Sequence, residues 1–478
     1  MKHKNFFALL IVLLSSLTGS AQSIVGSWKG NINAGGNLLP LVFHITQSNQ
    51  QWITKFDSPA QNALGIPTGS TRVSNDSIYI TIPAIGGGYK GKWNAKDQIE
   101  GVFEQGNFNA PLVLSRTTET VKAITPKPII RPQTPKPPFD YTIEEISYTN
   151  ADQSVQFGAT LTLPKNKTNY PTVVLISGSG SQDRDGTLFD HKIYWVLADH
   201  LTKAGIGVLR VDDRGVGKTS LGPNPQSITS KDFAKDIEAA LQYLLTRTEI
   251  NPKKIGLIGH SEGGMIAPMV AVTNKQIAFI TLLAGPGIPG YEIWNYQMRR
   301  NFIQPNLTNA DYAIAATLVN EMNAQFRYST QADSVKIGMQ KTYANWKQIN
   351  PSVDEAKLFT AKGIEPYIGL VNQFKPALAW LQFFMNYHPT ENLSKLKIPV
   401  LALNGASDIQ VTAEENINGI KQALLKARNK KFEANILPSL NHLFQSCKSP
   451  EQSYDSIEES FSPVALKIIS DWINQTNQ

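Results

Sequence analysis

Lys254-Ile255-Gly256-Leu257-Ile258-Gly259-His260-Ser261-Glu262-Gly263-Gly264 decides how the rest of the chain is read. Ile255 to Ile258 is apolar and long enough for one strand buried on both faces. Gly-x-Ser-x-Gly then turns the chain sharply. The following Met265-Ile266-Ala267-Pro268-Met269-Val270-Ala271-Val272 reads as a buried helix. Two glycines let strand and helix crowd such a turn, which lifts the serine Oγ off the backbone into a cleft. The competing reading is a tight turn with an incidental serine, and the surrounding chain has to choose.

On both sides of this stretch, short apolar strands alternate with helical segments. Strands are expected at Thr172 to Ile176, Gly207 to Val211, Ala278 to Leu283, Pro399 to Leu403 and Lys431 to Leu437. Helices are expected at Tyr194 to Ala204 and Asp232 to Thr246, with a last one after Ser462-Pro463. In the second helix Phe233, Ile237, Ala240, Leu241 and Leu244 keep the 3.6-residue spacing. Ile143 to Tyr148 and Val155 to Leu163 read as a leading hairpin. The pattern predicts a doubly wound, mostly parallel α/β sheet over 140–478, with its site at the carboxyl ends of the strands. Between about 290 and 395 the alternation stops. That interval reads as helical, and sixteen Phe, Trp and Tyr fall within 291–390, a density expected of a lid over the site or of the insertion's own core.

Residues 22–120 differ in kind. Leu41, Phe43 and Ile45 alternate with Val42, His44 and Thr46, and Ile78, Ile80 and Ile82 with Tyr79 and Thr81. Turn residues at Gly35-Gly36, Asn75-Asp76 and Gly86-Gly87-Gly88 separate such segments. A small antiparallel β-barrel or sandwich is expected, either a binding module or a shield for the α/β region. Six prolines between Pro126 and Pro138 mark 121–139 as an extended linker.

Met1 to Ala21 has the order of a secretory signal, with Lys2 and Lys4 first, the apolar Phe6 to Leu14 next, and Gly19-Ser20-Ala21 at the cleavage point. The apolar run is too short to span a bilayer, so export to a periplasm or the exterior is expected, without stable membrane insertion. Formal net charge is +7, or 7 − 2 = +5 without Lys2 and Lys4. No long Lys/Arg run accompanies it, which argues against a nucleic-acid partner. The single cysteine, Cys447, excludes an intrachain disulfide. Gly217-Lys218-Thr219 lacks the preceding glycine of a phosphate loop, and no His/Cys/Asp spacing suits zinc, so no cofactor or metal is expected.

A serine hydroxyl needs a base and a group that orients the base. In a doubly wound hydrolase these follow in the order nucleophile, acid, histidine. Of seven histidines, His3, His44, His191 and His200 precede the serine, and His260 adjoins it and should turn away from the cleft. His388 lies in the insertion, before the acid, which leaves His442. The acid should leave the preceding strand, which selects Asp408 in Val400-Leu401-Ala402-Leu403-Asn404-Gly405-Ala406-Ser407-Asp408. An oxyanion hole needs two backbone N–H groups. The first is expected from Glu262 and the second from Ser179, with Gly180 the alternative. The Glu262 side chain itself is read as no more than a favourable charge at a helix N-terminus.

Ile176-Ser177-Gly178-Ser179-Gly180-Ser181-Gln182-Asp183-Arg184-Asp185, Val211-Asp212-Asp213-Arg214-Gly215-Val216-Gly217, the elbow itself and Ala284-Gly285-Pro286-Gly287 together resemble secreted bacterial α/β-hydrolases. These are serine esterases related to the prolyl oligopeptidase and serine aminopeptidase branches. Asn404-Gly405-Ala406-Ser407-Asp408 and Asn441-His442-Leu443-Phe444-Gln445 resemble the acid and histidine loops of the same group. Ser181 departs from it, since proline is common there. The resemblance spans 141–478 and implies acyl transfer on a small-molecule ester with an apolar acyl or aryl group. A peptidase of the same fold and a non-catalytic binding protein are the alternatives. The charged loops 183–185 and 212–214 are read as ion pairs bracing the cleft.

Overall fold

In this computed structural model the described residues are 23–34, 37–48, 51–61, 63–94, 97–105, 108–118, 131–165, 167–360 and 365–478. The expected signal at 1–21 and residues 121–130 of the expected linker lie outside them. The chain divides into two compact units, Met1–Ile129 and Ile130–Gln478.

The first unit is an antiparallel sheet of β1 (Gly26–Ala34), β2 (Asn37–Ser48), β3 (Gln51–Ser58), β4 (Ala63–Pro67), β5 (Thr71–Ser74), β6 (Ser77–Ile82), β7 (Gly87–Trp93), β8 (Gln98–Gln105) and β9 (Phe108–Thr117). Strand order is β4-β3-β2-β1-β9-β8-β7-β6-β5. The Thr71 hydroxyl donates to that of Thr54 at 2.8 Å and ties β5 to β3, so the sheet curls on itself. Period-2 alternation turns Leu41, Phe43, Ile45, Ile78, Ile80 and Ile82 into one core with the wholly buried Trp28.

The second unit runs through β10 (Tyr141–Thr149), β11 (Gln156–Pro164), β12 (Thr172–Ile176), β13 (Thr187–Leu188), β14 (His191–Lys192), α1 (Ile193–Lys203), β15 (Gly207–Val211), α2 (Ser230–Leu245), β16 (Ile255–His260), α3 (Gly263–Thr273) and β17 (Ile277–Leu283). Helices follow: α4 (Gly290–Phe302), α5 (Asn309–Tyr328), α6 (Ala332–Ile349), α7 (Glu355–Leu358), α8 (Glu365–Phe374), α9 (Leu378–Asn386) and α10 (Thr390–Leu393). The chain then re-enters the sheet with β18 (Val400–Gly405), α11 (Ala413–Lys426), β19 (Phe432–Leu437) and α12 (Pro463–Thr476).

The eight-stranded order is β10-β11-β15-β12-β16-β17-β18-β19. The leading hairpin pairs antiparallel, and the strands from β15 to β19 pair parallel. Every residue of β16 is buried because helices cover both faces. Leu257 packs with α2, α3 and α11 on one side, and Ile258 with α1 and α12 on the other. The helices between β17 and β18 bury Phe326, Trp346, Phe359 and Tyr367 in one core that also takes in Met265 of α3 and Val411.

The second unit begins earlier than the expected 140. Arg131 is buried, and its guanidinium donates to the carbonyls of Ile457, Phe189 and Asp455 at 2.8–3.0 Å. Gln133 bonds Phe461 O and accepts from the Ser460 and Phe461 amides. Residues 131–133 are therefore a strap on this unit rather than free linker. Their proline-rich setting hid two side chains with partners more than 300 residues away.

Candidate active site

Ser261 sits where β16 gives way to α3, with φ at 53°, in the left-handed region that a side chain rarely adopts. Crowding holds it there. A Cβ on Gly259 would lie 2.0 Å from Gly263 O, and one on Gly263 would lie 2.3 Å from Ile176 O. Only glycine fits either place. The Ser261 N–H donates to Leu283 O at 2.8 Å, which pins the turn to the next strand.

His442 and Asp408 come together although 34 residues separate them. The His442 Nδ1 donates to Asp408 Oδ2 at 2.7 Å, and both side chains are almost wholly buried. Asp408 Oδ1 accepts from the Gln410 and Val411 amides at 2.8 and 2.9 Å. The carboxylate is thus oriented from both ends. Asn441 ties its own loop by accepting from the Leu443 and Gln445 amides, and a Cβ on Gly405 would strike Leu440 O at 2.1 Å. Those contacts explain the local composition of both loops. Ser261, His442, Ser179 and Glu262 line one hollow of about 360 Å³, with Ile293, Trp294, Trp380 and Phe384 from the helical insertion on its walls.

Among the described residues neither the Glu262 nor the Ser179 N–H has an acceptor within the protein. The Gly178 N–H is taken by the Tyr194 hydroxyl at 3.2 Å. Ser179 lines the hollow of Ser261, whereas Gly180, with φ at 92°, does not.

Three groups differ from the sequence expectation. The Glu262 carboxylate does more than sit at a helix start. It is buried and accepts from Ser230 Oγ at 2.6 Å and from Trp380 Nε1 at 2.8 Å. Burial pushes its acid above the usual carboxylate range, and these donors pull it back. A carboxylate wedged between a strand-end serine and two glycines was the available signal. His260 turns from the open cleft only in part. Its ring is buried 4.9 Å from the His442 ring, centre to centre, and borders the same hollow. Asp213 has no ion-pair partner among the described residues. It accepts from Ser177 Oγ at 2.6 Å and from the Gln182 amide at 2.9 Å, bracing the loop that carries Ser179. Burial drives its acid up to about 7. The neighbouring charges do pair, Arg184 with Asp212 and Glu145, Arg210 with Asp185, and Arg214 with Asp236.

A second Ser-His-Asp set lies in the first unit. His44 bridges Ser27 Oγ and Asp57 Oδ2, each at 2.7 Å. Its ring nitrogens are swapped relative to His442, and Ser27 lies within a regular strand. It is a cross-strand polar ladder, not a second elbow.

Comparison with known proteins agrees with this architecture. Over 140 residues the chain is 31% identical to Esterase EstD of Thermotoga maritima, an alignment covering 29% of this chain and 32% of that one. The chain thus spans about a third of that esterase. It is 23% identical to a proline iminopeptidase of Lactobacillus helveticus, over 50% of this chain and 74% of the relative. Solved structures that align include an esterase of Pyrococcus furiosus, at a TM-score of 0.41 and 15% identity over 71% of this chain and 94% of that one. A Penicillium hydrolase aligns with a TM-score of 0.42 and 14% identity over 70% and 99%. The family model described as alpha/beta hydrolase fold matches residues 171–435, more than half of the chain, and the chain belongs to that family.

Proposed function

We propose that the protein is a serine hydrolase that cleaves carboxylic esters through an acyl-enzyme. Ser261 Oγ attacks the ester carbonyl carbon while its proton passes to His442 Nε2. The bond to the alcohol oxygen breaks, and that oxygen takes the proton. Water, deprotonated by His442, then attacks the acyl carbon, releases the acid and returns the proton to Ser261. Asp408 holds the imidazole in the tautomer with Nδ1 protonated. The Glu262 and Ser179 amides receive the oxyanion. The helices between β17 and β18 serve as the lid. The observation that carries this reading is the 2.7 Å Asp408–His442 bond, bordering the hollow in which Ser261 is held at φ 53°. Ser261→Ala should abolish turnover of p-nitrophenyl acetate and butyrate and labelling by a fluorophosphonate. Turnover that survives would remove Ser261 from its role, and a wild type that is neither active nor labelled would favour a binding protein.

A peptidase reading draws on the iminopeptidase likeness, which covers more of its relative than the esterase likeness does. Capture of a free amino terminus needs an available carboxylate. Among the described residues the one carboxylate on the hollow's wall, Glu262, is already engaged by two donors, Ser230 Oγ and Trp380 Nε1. That favours esters, and amino-acyl p-nitroanilides compared with p-nitrophenyl esters test it. Export to a bacterial periplasm or exterior belongs to the same proposal and rests on the Met1–Ala21 pattern.

A further inference from the structure

A second space of about 490 Å³ opens beside the 177–182 loop, with Asp213 and Arg214 on one wall. Leu221, Ile228, Phe233, Phe374 and Pro376 contribute to its walls. It shares Ser179 and Trp380 with the hollow over Ser261, so these two residues stand between the spaces. The indole is fixed in place. Its Nε1 donates to the Glu262 carboxylate at 2.8 Å, and its ring stacks on Phe384 with centroids 5.7 Å apart.

The chemistry assigns the two flanks of the hollow. His442 must hand its proton to the departing alcohol oxygen, so the alcohol lies against His442, beside Leu443 and Tyr454. The acyl group, across the carbonyl carbon, then lies toward Glu262 and Trp380. Neither His442 nor Asp408 borders the second space.

We propose that Trp380 sets the acyl-chain length the enzyme accepts. Held by Glu262, it ends the acyl subsite, and the second space beside it is the room a longer straight-chain acyl group would enter were the indole removed. The preferred substrates are therefore esters of short acyl groups. This rests on Ser261 being the nucleophile.

The test uses the full chain with p-nitrophenyl acetate, butyrate and octanoate, read as the octanoate-to-acetate ratio of kcat/KM. That ratio is independent of the fraction of protein folded. Trp380→Ala should raise it on the order of tenfold, and Trp380→Phe by less. Adding Ala377→Trp to Trp380→Ala refills the second space and should return the ratio toward wild type. Tyr454→Ala, on the alcohol flank, should shift preference among alcohols and not this ratio. An unchanged ratio in Trp380→Ala, or an equal change in Tyr454→Ala, overturns the proposal alone. Acetate turnover surviving Ser261→Ala overturns the nucleophile and this inference with it.

Discussion

The His260 Nε2 donates to the main-chain carbonyl of His442 at 2.9 Å, so the residue before the elbow serine carries the loop of the distant histidine. The Tyr194 hydroxyl meets the other ring nitrogen at 3.3 Å and also receives the Gly178 amide. Burial first, and then the nearby His442, push the His260 imidazolium down to about 3. An unfolded histidine titrates near 6.5. Below that pH the unfolded chain binds a proton that the folded chain refuses, so this group removes stability as pH falls from about 6.5 toward 3. His260→Gln should flatten that part of the stability profile and lower kcat about tenfold while fluorophosphonate labelling persists. Parallel unfolding midpoints of the two proteins between pH 7.5 and 5 would refute it.

Asp213 works with the opposite sign. Its folded acid is raised to about 7, chiefly by burial, against an ordinary value of 3.8. Between those values the folded chain holds a proton that the unfolded chain has lost. The stability difference therefore falls as pH rises from about 4 to 7. Asp213→Asn should gain on wild type as pH rises, by about 4 kcal/mol across that range. Urea unfolding at pH 5 and 8 measures it, and a pH-independent difference would contradict the assignment.

Asp408→Asn keeps the shape of the acid but can offer its amide N–H to the imidazole, which favours the wrong tautomer. A loss of about 10⁴-fold in kcat with little change in KM is expected. A loss under tenfold on p-nitrophenyl butyrate would show that another group orients His442.

Arg131→Ala should strip three carbonyl oxygens, those of Ile457, Phe189 and Asp455, of their donor. Of these only the bond to Ile457 is buried, and leaving that carbonyl unpaired predicts a loss of ~1–3 kcal/mol. Thermal unfolding of the full chain checks this, and a shift within error would mean that water replaces the guanidinium.

Processing of the proposed signal is tested by the mature terminus. Expression in a bacterium with an export pathway should yield a chain beginning at Gln22. A chain that retains Lys2 and Lys4 in the periplasmic fraction, or never reaches it, would set export aside.

The central strands were legible because a parallel strand buried on both faces is an unbroken apolar run. Thr172–Ile176 and Gly207–Val211 match their expected limits. The meeting of Asp408 with His442 was legible because the doubly wound topology orders loops along the sheet edge. The Glu262–Trp380 bond was not, since it joins residues 118 apart, one of them in an insertion without strand–helix alternation. Elimination gave His260 a direction but not the loop it supports, and proline content masked Arg131. In each case the missing information was a contact between residues distant in sequence, which no periodicity encodes.

Ser261 at φ 53° has a consequence for how the protein can change. Glycine would occupy that backbone conformation with less strain, so the chain would fold more readily with the proposed nucleophile erased. Selection for stability alone would drift toward glycine at this position, so the strain of a serine there is a cost that only the proposed chemistry would offset.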